Sequence, residues 1–343
     1  MGFPNAAGVQ SKNLGLMDQR VSLEWVRDNI KQFGGDPSKI MIWGQSAGAG
    51  SVDVHNYAFW EDPIAHAMFA QSGSVLHDEA GAPELDWDHT NFTYVAKNVG
   101  CDHAYNSTAE LECMQKKPYH DIVNFMGQYQ DNSTTGTEQP SLRFSIMADE
   151  QIVFANYEDR YKSGFVSRVP MIYSSAANEG ASLVPYPIDD PYAGPNQTQV
   201  NALTTEGFLC GAANTSILRD TLDLTTYRYQ YAGNWTNQDP FPWMGAFHSS
   251  DLVMLFGSYA DDVGPVVEPL EKETSEIMED FLLAFMTDPY NGPQAMGWPR
   301  FNTSADNGGT LLRFGADGKA AQNVSANDVQ AVCFGEGPYN PFP

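Results

Sequence analysis

Three side chains in this sequence could together carry out nucleophilic catalysis. Ser46 stands in Gly44-Gln45-Ser46-Ala47-Gly48, behind the apolar run Ile40-Met41-Ile42-Trp43. Gly-x-Ser-x-Gly between such a run and a helix is the pattern of a nucleophile elbow: a buried strand turns sharply, and small residues let the turn close around a strained serine. Ala47 then opens the helix, and its N–H points to where an oxyanion would form. A neutral serine hydroxyl is a weak nucleophile. It needs a histidine to take its proton and a carboxylate to orient that histidine.

Counting restricts the partners. Elbows of this kind have their partners in the chain order serine, acid, histidine. Of seven histidines, His55, His66, His77, His89, His103 and His120 precede every carboxylate that follows the third expected strand, so only His248 completes the order. The acid is less determined, because Glu179, Asp189, Asp190 and Asp239 all lie in the right interval. Glu179 is preferred: it follows the strand within a few residues, and Gly180 lets the chain turn beside it.

The elements that must position these groups can be read from periodicity. Leu16, Leu23, Val26 and Ile30 recur at helical spacing, predicting a helix over 14–32 that stops at Phe33-Gly34-Gly35-Asp36-Pro37. Strands are expected over 39–43, 66–72, 169–174 and 226–232, and a further helix over 274–285, with Asp288-Pro289 as its stop. Residues 75–160 are polar and helix-like in patches, such as 108–115, and read as a cap-like insertion into a single domain spanning 1–343. Strands separated by helices or loops predict an α/β fold, a mostly parallel sheet with helices on both faces and active groups beyond the C-terminal strand ends.

Composition sets the class. The 343 residues are 42% hydrophobic and 18% charged, which suits a globular chain with a large core. A net charge of −25 without basic patches excludes nucleic acid as a partner, and no apolar run approaches the about 20 residues of a membrane span. Eight Asn-x-Ser/Thr triplets begin at Asn91, Asn106, Asn132, Asn196, Asn214, Asn234, Asn302 and Asn323, more than composition predicts, and favour a glycosylated, secreted chain. Four cysteines fit that compartment: Cys101 and Cys113 flank a short polar loop, a good disulfide span, while Cys210 and Cys333 lie alone. No spacing suggests a zinc site, and no cofactor is implied. Met1-Gly2-Phe3-Pro4 offers neither the basic region nor the apolar stretch of a signal peptide, so the expectation is a chain missing its beginning.

These residues also carry a resemblance. Asn13-Leu14-Gly15-Leu16-Met17-Asp18-Gln19-Arg20, Trp25-Val26-Arg27-Asp28-Asn29-Ile30, Phe33-Gly34-Gly35-Asp36-Pro37 and Gly44-Gln45-Ser46-Ala47-Gly48 resemble the signature block of the type-B carboxylesterase/lipase family, which includes cholinesterases and fungal lipases. Gln71-Ser72-Gly73-Ser74, Asn178-Glu179-Gly180, His248 with Asp251-Leu252 and Phe256-Gly257, and Trp298-Pro299 are similar to further family positions. The resemblance implies the α/β-hydrolase fold and hydrolysis of small-molecule or lipid carboxylic esters through an acyl-enzyme, with Ser46 as nucleophile, His248 as acid/base and Glu179 as orienting acid. It also implies a Cys101–Cys113 disulfide and a supporting hydrogen bond from Ser72. Gln45 departs from cholinesterases, which carry glutamate there. The family's Gly-rich oxyanion segment and early disulfide lie upstream of Met1, so the expectation is a sheet lacking its N-terminal strands and a turnover lowered ~100- to 1,000-fold. The alternative reading is a non-catalytic binding or adhesion module, or an inert fragment; fluorophosphonate labelling of Ser46 separates it from the enzyme.

Overall fold

The computed structural model describes residues 2–76, 86–133, 142–261, 267–305 and 307–343, and the side chains of 130–133 are not described. His77 lies outside these residues, as does the side chain of Asn132. The chain forms two compact units, Met1–Ser22 with Gly81–Ala155, and Leu23–Ala80 with Asn156–Pro343. The first 22 residues thus group with the helical segment, which periodicity alone did not foresee.

The larger unit holds a six-stranded sheet in the order β1 (Met41–Gln45), β2 (Ala67–Gln71), β3 (Met171–Ala176), β4 (Thr226–Tyr231), β5 (Thr310–Ala316), β6 (Lys319–Ser325). Neighbours from β1 to β5 run parallel, and β6 closes the sheet antiparallel to β5. The first four strands were expected; β5 and β6 were not. Every residue of β2, β3 and β4 is buried, as parallel strands covered on both faces require.

Alternate strand residues feed two cores. Phe69, Ile172, Tyr229 and Phe314 pack with Met278, Phe281 and Phe285 of helix Pro269–Thr287. On the other core Ile42, Met68, Met171 and Tyr173 meet Ala49 and Val52 of helix Ala47–Ala58 and Ala212 of helix Cys210–Thr221. Helix Pro269–Thr287 begins five residues before the expected 274: Pro269 suits a first helical turn, and Glu268 and Glu271 form a reciprocal capping box.

The smaller unit is helical, with Thr90–Asn98, Ser107–Gln115 and Tyr119–Ser133. Phe92, Val95, Ala96, Cys101 and Met114 bury their apolar faces together with Ala6. Cys101 and Cys113 form a disulfide with Cα atoms 5.7 Å apart. Asn13 binds the Met147 backbone through both its amide groups, at 2.7 and 3.1 Å, and donates to Asp149 at 2.8 Å. Cys210 and Cys333, read as lone residues, are bonded to each other across 123 positions of sequence in the larger unit.

Candidate active site

At the end of β1 the backbone of Ser46 turns to φ 58° and ψ −121°, a left-handed conformation that a side chain adopts only under constraint. The constraint is visible. Ser46 N–H continues the ladder to Gln71 O at 2.9 Å, while Ser46 O accepts from Gly50 N–H in the first helical turn. Gly44 is obligatory, because a Cβ there would fall inside the carbonyl of Gly48. Among the described residues nothing outside its own helix stands within 4 Å of a would-be Cβ on Gly48, so the second motif glycine is not under the same constraint. Ala47 begins the helix, where an amide N–H has no intrahelical acceptor.

Glu179 follows β3 in a short 3-10 turn, Glu179–Ser182, with its carboxylate fully buried. Oε1 accepts from Ala176 N–H at 2.6 Å and Oε2 accepts from His248 Nδ1 at 2.6 Å. Of the four candidate acids it is the one that meets the histidine. The loop that brings His248 back is fastened by Asn178, beside Glu179: its amide nitrogen donates to the carbonyls of Trp243 and Met244, and its backbone N–H to that of Ala246.

Since Nδ1 donates to Glu179, Nε2 of the neutral imidazole carries the lone pair. That nitrogen is 3.1 Å from Gln45 Nε2, the amide of the residue before Ser46. No hydrogen bond joins it to Ser46 Oγ. Apo geometries of this kind are often loose before substrate tightens them. Burial pulls the imidazole pKa down, but the Glu179 hydrogen bond, the Glu179 charge and the Asp251 charge outweigh it and leave it above the ordinary value.

Asp251, quoted above only as a similar position, proves to be part of this cluster. It is fully buried on helix Ser250–Leu255, accepts from Tyr229 OH at 2.8 Å, and is pushed to about 6 by burial and by the neighbouring Glu179 charge. Gln71 adds a further side-chain hydrogen bond to it, whereas the buried Ser72 Oγ has no partner among the described residues. The side-chain hydrogen bond expected of Ser72 is therefore not made: its backbone N–H donates to Ser174 O while φ is 54°. A cavity of about 1400 Å³ in the smaller unit is lined by Phe3, Phe92, Leu111, Met126 and Phe144 among others, and none of its described lining residues is charged.

The sequons divide by exposure. Asn106, Asn196, Asn214, Asn234, Asn302 and Asn323 are exposed. Asn91 corrects the expectation: it is buried, and its Nδ2, the atom a glycan would take, donates to Arg143 O at 3.0 Å.

A mostly parallel sheet covered on both faces, a serine elbow after one strand, and an acid and a histidine after later ones define an α/β-hydrolase. The chain belongs to the carboxylesterase family, whose sequence profile matches residues 1–206. It is 38% identical over 97% of its length to a chlorogenic acid esterase of Aspergillus niger, and 35% identical over 98% of its length to secreted lipase 5 of Gibberella zeae. It spans 64% of the length of each. A solved juvenile hormone esterase of Manduca sexta, with OTFP covalently attached, has the same fold, with a TM-score of 0.72 over 97% of this chain and 71% of that one at 18% identity.

Proposed function

We propose that this chain is a serine hydrolase of carboxylic esters. The observation that carries the reading is the 2.6 Å bond from His248 Nδ1 to the buried Glu179, with the other imidazole nitrogen turned to the residue beside Ser46. For attack, the Gln45 amide leaves Nε2 and Ser46 Oγ takes its place. His248 removes the hydroxyl proton as Oγ bonds to the ester carbon, and Glu179 stabilises the imidazolium. The Ala47 N–H donates to the oxyanion. Collapse expels the alcohol, which takes the proton from His248, and water then repeats the sequence on the acyl-Ser46 ester.

Relatives named as a chlorogenic acid esterase and a lipase support small-molecule or lipid carboxylic esters as the substrate class. The relative named as secreted, the two disulfides and the six exposed sequons support an extracellular, glycosylated protein. The test is covalent: a fluorophosphonate probe is expected to label the chain at Ser46, and Ser46→Ala to abolish both labelling and release of p-nitrophenol from p-nitrophenyl butyrate. Labelling that survives Ser46→Ala would sink the assignment.

A further inference from the structure

His248 has a neighbour that the acid and the nucleophile do not account for. Helix Gln197–Thr204 does not run straight into helix Cys210–Thr221: residues Thr205–Leu209 form a single π-helical turn, closed by Cys210 N–H on Thr205 O. Such a turn inserts an extra residue and is frequent at functional sites. Here it carries Phe208, whose ring centroid is 4.7 Å from that of His248 with the planes at 41°.

Both sides of the turn are fixed. Just before it, Thr204 Oγ1 accepts from the N–H of Gly180, the residue after Glu179, at 2.9 Å. Helix Gln197–Thr204 approaches so closely there that a Cβ on Gly180 would stand 2.5 Å from Val200 O. At the end of the turn Leu209 is buried with Phe301, Leu311 and Val329, and Cys210 is bonded to Cys333. One helical element therefore braces the backbone beside the acid through the Thr204 hydroxyl and the base through an aromatic side chain.

We propose that Phe208 is a positioning residue for the reaction: its ring, advanced by the π-turn, steadies the His248 imidazole against Glu179 and stabilises it when it carries a second proton. This rests on the ester-hydrolase reading, in which imidazolium forms at each proton transfer. An aromatic face attracts a cation within about 6 Å of its centroid. Among the described residues, the other groups that bond to or charge His248 are the carboxyl groups of Glu179 and Asp251 and the uncharged amide of Gln45. Phe208 favours the cation without occupying Nε2, the nitrogen the serine must reach.

Phe208→Leu keeps apolar bulk and removes the aromatic face, whereas Phe208→Tyr keeps both. In protein with 13C-labelled histidine, the His248 signal, assigned by its loss in His248→Gln, is followed by NMR across pH. The rate of fluorophosphonate labelling is measured over the same range. In Phe208→Leu both midpoints are expected to fall by about 0.5 to 1 pH unit, and plateau labelling by about 3- to 10-fold, with Phe208→Tyr close to wild type. Should the leucine chain not fold, Phe208→Met carries the same expectation. A labelled wild type whose midpoints do not move in Phe208→Leu, or an equal loss in the leucine and tyrosine variants, overturns this proposal alone. A wild-type chain that takes no label at any pH overturns the hydrolase reading and the catalytic meaning of the contact with it.

Discussion

Asp149 in the smaller unit and Asp251 in the sheet unit are the same residue type in opposite circumstances. Oδ1 of Asp149 accepts from the backbone N–H groups of Gln151, Ile152 and Val153, and Oδ2 from Asn13. Burial works to raise its pKa, but these donors prevail and hold it below the usual carboxylate value. Asp251 takes hydrogen bonds from Tyr229 and Gln71, but full burial and a second carboxylate nearby prevail and drive it up to about 6. A carboxylate saturated by main-chain donors fixes a turn. One buried beside a second carboxylate holds its own proton more tightly and raises the proton affinity of His248.

The largest expected effect breaks the comparison at the candidate active site. Glu179→Gln keeps the shape but removes the charge that sets the His248 tautomer, and is expected to lower the labelling rate about 10⁴-fold. Asp149→Asn should leave that rate within a few-fold while lowering the melting temperature. Equal effects on rate would erase the distinction.

The disulfides sharpen the contrast in stability. Cys101–Cys113 closes a loop of separation 12 and Cys210–Cys333 one of separation 123. On the chain-entropy account, losing the first costs about 3 kcal/mol and losing the second about 4 to 5. Urea titration of the two double Cys→Ser variants checks the order, and only the second is expected to slow labelling, through Phe208.

A smaller effect isolates Asp251. Its proton is held more tightly in the folded chain than in the unfolded one, whose pKa is near the ordinary 3.8. Between about pH 4 and 6, unfolding therefore releases protons and stability falls as pH rises, by roughly 2–3 kcal/mol in all. Asp251→Asn is expected to flatten that slope in denaturation midpoints measured across pH, and a slope that persists would place its origin elsewhere.

The candidate site was legible where a local pattern marks it. Gly44-x-Ser46-x-Gly48 announced the elbow, and chain order alone singled out His248. Glu179 rested on its nearness to a strand end, since nothing local distinguishes it from Asp189, Asp190 or Asp239. Partners formed by folding were not legible: Cys210 with Cys333, Phe208 with His248 and Asp251 with Tyr229 are distant in sequence or displaced by an irregular turn. One missed signal was local. Asp317-Gly318, at φ 55° and 70°, is the Asp-Gly turn of a tight hairpin, and it joins the two strands the periodicity passed over.

The backbone at position 46 has a consequence for how such a protein can change. Glycine would occupy that conformation with least discomfort, so the substitution most congenial to the polypeptide there is also the one that deletes its alcohol. Durability and reactivity pull one codon in opposite directions, and a chain selected only for persistence would drift toward the sturdier, silent form.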